Sequence, residues 1–108
     1  MKQKSKKTEL RKLDEMWVKK VKDRDNWTCQ VCNKKVTGHN CQSHHILPRQ
    51  IKGCRWDINN GITLCYQHHK IGCYSAHNNA IWFTFWLKTH KFSQFKYIIS
   101  KLNKIGKS

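Results

Sequence analysis

The sequence predicts a small α+β fold: a single domain with a ββα-metal core, a structural zinc knuckle, a flanking N-terminal helix and C-terminal helices. Three observations carry this. An apolar stripe at helical spacing stands near the start of the chain, two short strand-like runs flank a basic loop in its middle, and two half-sites of metal-ligating residues bracket those runs. With 108 residues the chain suits one domain, 1–108, whose apolar core alone is marginal and for which a structural metal is a common reinforcement.

Residues 1–7 are mostly Lys and polar residues and read as a basic, solvated arm. A helix follows over 8–23. Thr8 can cap it, and Leu10, Leu13, Trp17, Val18 and Val21 recur at three- and four-residue steps to make one core-facing stripe. The core unit spans 27–73. Trp27-Thr-Cys-Gln-Val-Cys-Asn33 is a tight turn presenting Cys29 and Cys32, and Cys41 to Pro48 is a short strand ended by proline. Arg49 to Arg55 is a basic loop, Asn60-Gly61 a turn, and Gly61 to Cys65 a second strand, after which a helix begins near Cys65 or Tyr66. Residues 79–105 are helical again. Ile81, Trp82, Phe85 and Trp86 share helical spacing, and after a break near His90 it returns in Phe92, Phe95, Ile98, Ile99, Leu102 and Ile105. Such an aromatic stripe is expected in the core rather than under nucleic-acid bases, while Lys88, Lys91, Lys96, Lys101 and Lys104 can face phosphates.

Twenty-two Lys and Arg against six Asp and Glu give a net charge of +16, which points to a polyanionic partner. Nucleic acid is favoured over an acidic membrane surface. No run is apolar enough to span a bilayer, and no hydrophobic segment follows the basic start as a secretion signal requires, so a soluble cytoplasmic protein is expected. In that reducing setting the six cysteines and seven histidines read as metal ligands rather than as a disulfide framework.

Cys29-x-x-Cys32 and Cys65-x-x-His68 have matched two-residue gaps, which let a turn place both side chains on one tetrahedral ion; together they form a structural zinc site. Cys41, Cys54 and Cys73 remain over, and any of them can stand in for His68. Between the half-sites, His44 and His45 are neighbours at a strand end, where side chains alternate between faces. One is then free to bind a metal while the other faces a scissile group. His69 is displaced about 100° from His68 around a helix, so His44 and His69 can share a second ion while His45 stays free as a general base for water. Asn60 ends the inter-strand loop, where its amide can fix the loop or orient the His45 ring. There is no nucleophile elbow, no phosphate-cradling Gly-rich loop and no paired-carboxylate signature, so acyl transfer, nucleotide kinase and glycosidase chemistry lack support.

In these residues the chain resembles the HNH endonucleases, nucleases of the ββα-metal type. The resemblance runs through Cys29-x-x-Cys32, Ser43-His-His-Ile-Leu-Pro48, Asn60-Gly-Ile-Thr-Leu-Cys65 and His68-His69. Val21-Lys-Asp-Arg-Asp-Asn-Trp-Thr and Ser75-Ala-His77 are similar to small phage-encoded, zinc-containing HNH proteins. The resemblance implies His45 as general base, His44 and His69 as ligands of the catalytic ion, and Asn60 as the motif asparagine. It further implies Mg²⁺, Mn²⁺, Ni²⁺ or Zn²⁺ at the catalytic site and products with a 5′-phosphate. A nitrogen-rich site favours transition metals. Some members of that family add a ligand about one helical turn past the last His; Cys73 stands there, with His77 a weaker candidate, and the third ligand is left open.

The expected function is DNA endonuclease, with no small-molecule substrate and with sequence preference supplied by the arm and by Arg49, Lys52 and Arg55. The alternative is a zinc-stabilised nucleic-acid-binding module with no cleavage activity, which needs the zinc ligands but not His44, His45, Asn60 and His69 together. Homing, phage packaging or recombination, and restriction remain open as roles, the phage setting placing the protein in a host cell; monomer and homodimer also remain open.

Overall fold

Ser5 opens the first helix, three residues before the expected cap. The computed structural model describes residues 5–106, apart from the side chains of residues 52 and 105. Helix α1 runs Lys6–Arg24. The Ser5 hydroxyl accepts the Thr8 amide N–H at 3.2 Å and hydrogen-bonds the Thr8 hydroxyl at 2.8 Å, so Thr8 completes the cap from inside the first turn. Lys6 and Lys7 of the expected arm are therefore helical, and residues 1–4 lie outside the described part. Of the predicted stripe, Trp17 and Val21 are buried, while Leu13 is 40 % exposed.

Asn26 and Trp27, at φ +61° and +51°, reverse the chain beyond α1. A tight turn over Cys29–Asn33 follows. It is closed by Asn33 N–H to the Cys29 carbonyl at 2.8 Å and by Cys29 N–H to the Lys34 carbonyl at 2.9 Å, with Asn33 at φ +63°. Asparagine tolerates this left-handed geometry better than most residues.

Strands β1 (Gln42–His45) and β2 (Gly61–Leu64) pair antiparallel, with Gln42 opposite Leu64 and His45 opposite Gly61. Both are shorter than the sequence predicts; just beyond β1 the Asn60 side chain takes up the backbone of Leu47 in place of a strand partner. The period of two sorts β1 as expected. Gln42 and His44 meet His69 on one face, while Ser43 and His45 meet α1 on the other, through Val18 and Trp17.

Instead of a regular helix after β2 there is one π-helical turn, Gln67–Ile71, closed by the Gly72 amide on the Gln67 carbonyl at 2.8 Å. A Cβ at Gly72 would lie 3.0 Å from that oxygen, so the closure suits glycine and stops the helix there. Helices α2 (Ala80–His90) and α3 (Phe92–Gly106) pack on each other, α2 being capped by the Asn79 side chain. The face α2 buries is one step round from the predicted stripe: Phe83 and Leu87 are buried, Trp82 and Trp86 half-buried, and Ile81 and Phe85 are 75 % and 66 % exposed. Seven of the eight residues from Ala80 to Leu87 are apolar, so periodicity does not choose a face. Phe92, Ile99 and Leu102 of the α3 stripe are likewise exposed, with Ile98 buried. The result is a small α+β chain with one two-stranded antiparallel sheet and several helices. Among the described residues no helix is long and apolar enough to cross a membrane.

Candidate metal centres

The turn after α1 and the π turn after β2 bring four ligands together. The ligand atoms of Cys29, Cys32, Cys65 and His68 all lie within 4.8 Å of one another. His68 Nδ1 is 3.2 Å from Cys65 Sγ and 3.8 Å from Cys29 Sγ. A tetrahedral zinc puts sulfur and nitrogen ligands about 3.6 Å apart, between those two values. The cluster can therefore hold a metal such as zinc, with His68 contributing through Nδ1. Cys41 and Cys54 are buried elsewhere, their thiols pushed up in pKa chiefly by that burial, and Cys73 is exposed; none of the three replaces His68.

A second cluster is made of imidazoles. His44, His69 and His77 each present one ring nitrogen, all within 4.8 Å of one another. His69 Nε2 is 3.1 Å from His44 Nδ1 and 3.1 Å from His77 Nε2. On its other side, His69 Nδ1 hydrogen-bonds the Gln42 side-chain oxygen, which requires the proton on Nδ1 and leaves Nε2 a bare lone pair aimed at the cluster. One lone pair cannot serve two donors along their axes. An ion about 2.0–2.1 Å from each ring nitrogen would space them roughly 3.0–3.4 Å apart, so the set fits a divalent transition metal. Burial, helped by the neighbouring imidazoles, pushes His44 down to about 3 and His69 down to about 4, which keeps both neutral and able to ligate. Phe83 buttresses the site, its ring centroid 5.3 Å from that of His44.

His77 was only the second candidate from sequence, behind Cys73. The chain doubles back after Gly72: the Ala76 and His77 amides donate to the His68 and His69 carbonyls at 2.8 and 3.0 Å. Counting one helical turn past His69 fails because the helix has already ended. The local signal was the Gly72 stop followed by Ser75-Ala-His77.

His45, next to His44 on β1, leaves the cluster for the other face. Its ring stacks on Trp17 at 3.7 Å between centroids with 8° between planes, and Nε2–H donates to the Arg55 carbonyl at 2.9 Å. That bond places the proton on Nε2 and leaves Nδ1 as the basic nitrogen, with no partner among the described residues. Burial lowers the His45 pKa, opposed by the bond to Arg55. His44, His45, His69 and His77 nonetheless line one open cavity of about 710 Å³, together with Arg49 and Lys70.

Asn60 is fully buried and does not touch the His45 ring. Its Oδ1 accepts the Leu47 N–H at 2.7 Å, and Nδ2 donates to the Leu47 and Cys54 carbonyls at 3.1 and 3.2 Å. Of the two roles open from sequence, it fixes the loop. Arg49 is exposed, while the Arg55 guanidinium is engaged by Asp14 at 2.6 and 2.9 Å. The Lys52 side chain lies outside the described part. Comparison with known proteins finds no match: no family model, no curated protein and no solved structure.

Proposed function

We propose that this chain is a metal-dependent endonuclease of the HNH type that hydrolyses DNA phosphodiester bonds. One observation carries the reading: three imidazoles converge on a common point, while a fourth, His45, lines the same cavity and has no partner on Nδ1 among the described residues. A purely structural zinc needs only Cys29, Cys32, Cys65 and His68, so the second cluster has no place in a simple binding module. On this reading those four hold structural zinc, the turn at Cys29–Asn33 is the zinc knuckle, and β1, β2 and the π turn are the ββα-metal core.

His45 Nδ1 takes a proton from a water in the cavity as that water attacks phosphorus and the P–O3′ bond breaks, the 3′ oxygen leaving as a hydroxyl protonated by solvent and the phosphate staying on the 5′ side. The Arg55 carbonyl stabilises the imidazolium through Nε2–H. Arg49 and Lys70 draw the phosphodiester to the cleft, supported by the overall charge of +16. Asn60 keeps the loop that carries the Arg55 carbonyl in register with β1. When bound by His44, His69 and His77, a divalent ion supplies positive charge for the phosphate and the leaving oxygen.

Supercoiled plasmid incubated with pure protein and Mg²⁺, Mn²⁺, Ni²⁺ or Zn²⁺ is the test. Nicked or linear product with 5′-phosphate ends is expected, falling at least about 10-fold in His44→Ala. Intact plasmid with every metal, at two ions per chain, would contradict the reading and leave a DNA-binding module in its place.

A further inference from the structure

Helix α1 belongs to neither metal cluster, yet it is tied to the segment before β2 at consecutive residues. The Asp14 carboxylate accepts Arg55 Nε at 2.9 Å and a terminal guanidinium nitrogen of Arg55 at 2.6 Å, and it also accepts the Trp56 indole N–H at 2.9 Å. Three residues on, the Trp17 indole donates to the Asp57 carbonyl at 2.8 Å while its face stacks on His45. The backbone from Arg55 to Asp57 is thus held from α1 at both ends, and its first carbonyl is the acceptor of His45 Nε2–H. Asp14 is one of only six acidic residues in a chain of charge +16, and on the endonuclease reading an uncompensated carboxylate beside the Arg55 segment would repel a phosphate substrate. Arg55 compensates it, and the fork between them is a geometry that a carboxylate and a guanidinium fix well.

We propose that Asp14 is a positioning residue for His45: by clamping Arg55 and Trp56 it fixes the Arg55 carbonyl, and so decides which ring nitrogen of His45 keeps the proton and which is left as the base. Arg55 then serves the site through its backbone, with its side chain committed to the clamp. This rests on the endonuclease reading for its consequence in turnover, but not for its geometry.

The test uses Asp14→Asn and Arg55→Lys, the latter keeping both the charge and the carbonyl while removing the fork. Ring ¹⁵N spectra of His45 at pH 8 are expected to show one Nε2–H tautomer in the wild type and a mixture in both variants, with two ions still bound per chain. Plasmid nicking should lose about 10- to 100-fold in kcat with KM within about twofold, the pattern of a disturbed outer partner of a reacting group. Asp14→Glu, able to rebuild the fork, should recover most of it. If both variants keep the single tautomer, Asp14 does not position His45. A changed tautomer in a protein that never cuts DNA would sink the endonuclease reading and leave the clamp standing. Should Asp14→Asn fail to fold, Arg55→Lys decides alone by the same spectra.

Discussion

At the scale of single residues, the imidazole cluster depends on a histidine that simple spacing ranks second. His77 reaches His69 because two backbone hydrogen bonds fold residues 76 and 77 back onto His68 and His69, a tertiary return that no helical count contains. Replacing His77 with Ala should weaken the second ion at least about 10-fold in a chelator competition, while Cys73→Ser should leave both ions in place. Equal weakening by the two variants would return Cys73 to the site. The neighbouring pair was easier to read. His44 and His45 separate because adjacent strand residues face opposite ways, and Gln42 and Ser43 follow the same alternation. The tautomer of His45 was not legible, since it is set by a carbonyl ten residues away.

Among the elements, α1 and β2 are pressed together at Gly61. A Cβ there would lie 2.5 Å from Val21 Cγ2 and 2.6 Å from Trp17 Cζ2, both side chains buried in the helix–sheet contact. Gly61→Ala should therefore cost about 1–3 kcal/mol in urea unfolding and shift the Trp17 ring that stacks on His45. An unchanged midpoint would mean that the contact is looser than described. The sequence marked Asn60-Gly61 as a turn, whereas the glycine's larger role is to admit Trp17. Helix positions were legible from apolar spacing and caps; the buried face of α2 was not, because that helix is apolar nearly all round and only its contact with α3 and His44 selects Phe83 and Leu87.

For the whole molecule, metal and protonation are linked. His44 and His69 fall to about 3 and about 4 in the fold, against an ordinary value of 6.5, so without metal the unfolded chain binds more protons than the folded one between those limits. Their contribution to stability is complete above about 6.5 and is lost as pH falls through about 4 and about 3. Unfolding by urea in EDTA should therefore show a midpoint that drops from pH 7.5 to pH 5, and a flat midpoint would mean that neither imidazole is held neutral. The high positive charge made a polyanion the expected partner, but charge says nothing of chemistry; that rests on four histidines in one cavity. The most direct test of their role is single-turnover nicking of supercoiled plasmid by His45→Ala, with metal content matched to the wild type. Loss of at least about 100-fold in the rate, with two ions still bound, is the result expected of a general base. Nicking at the wild-type rate would contradict it.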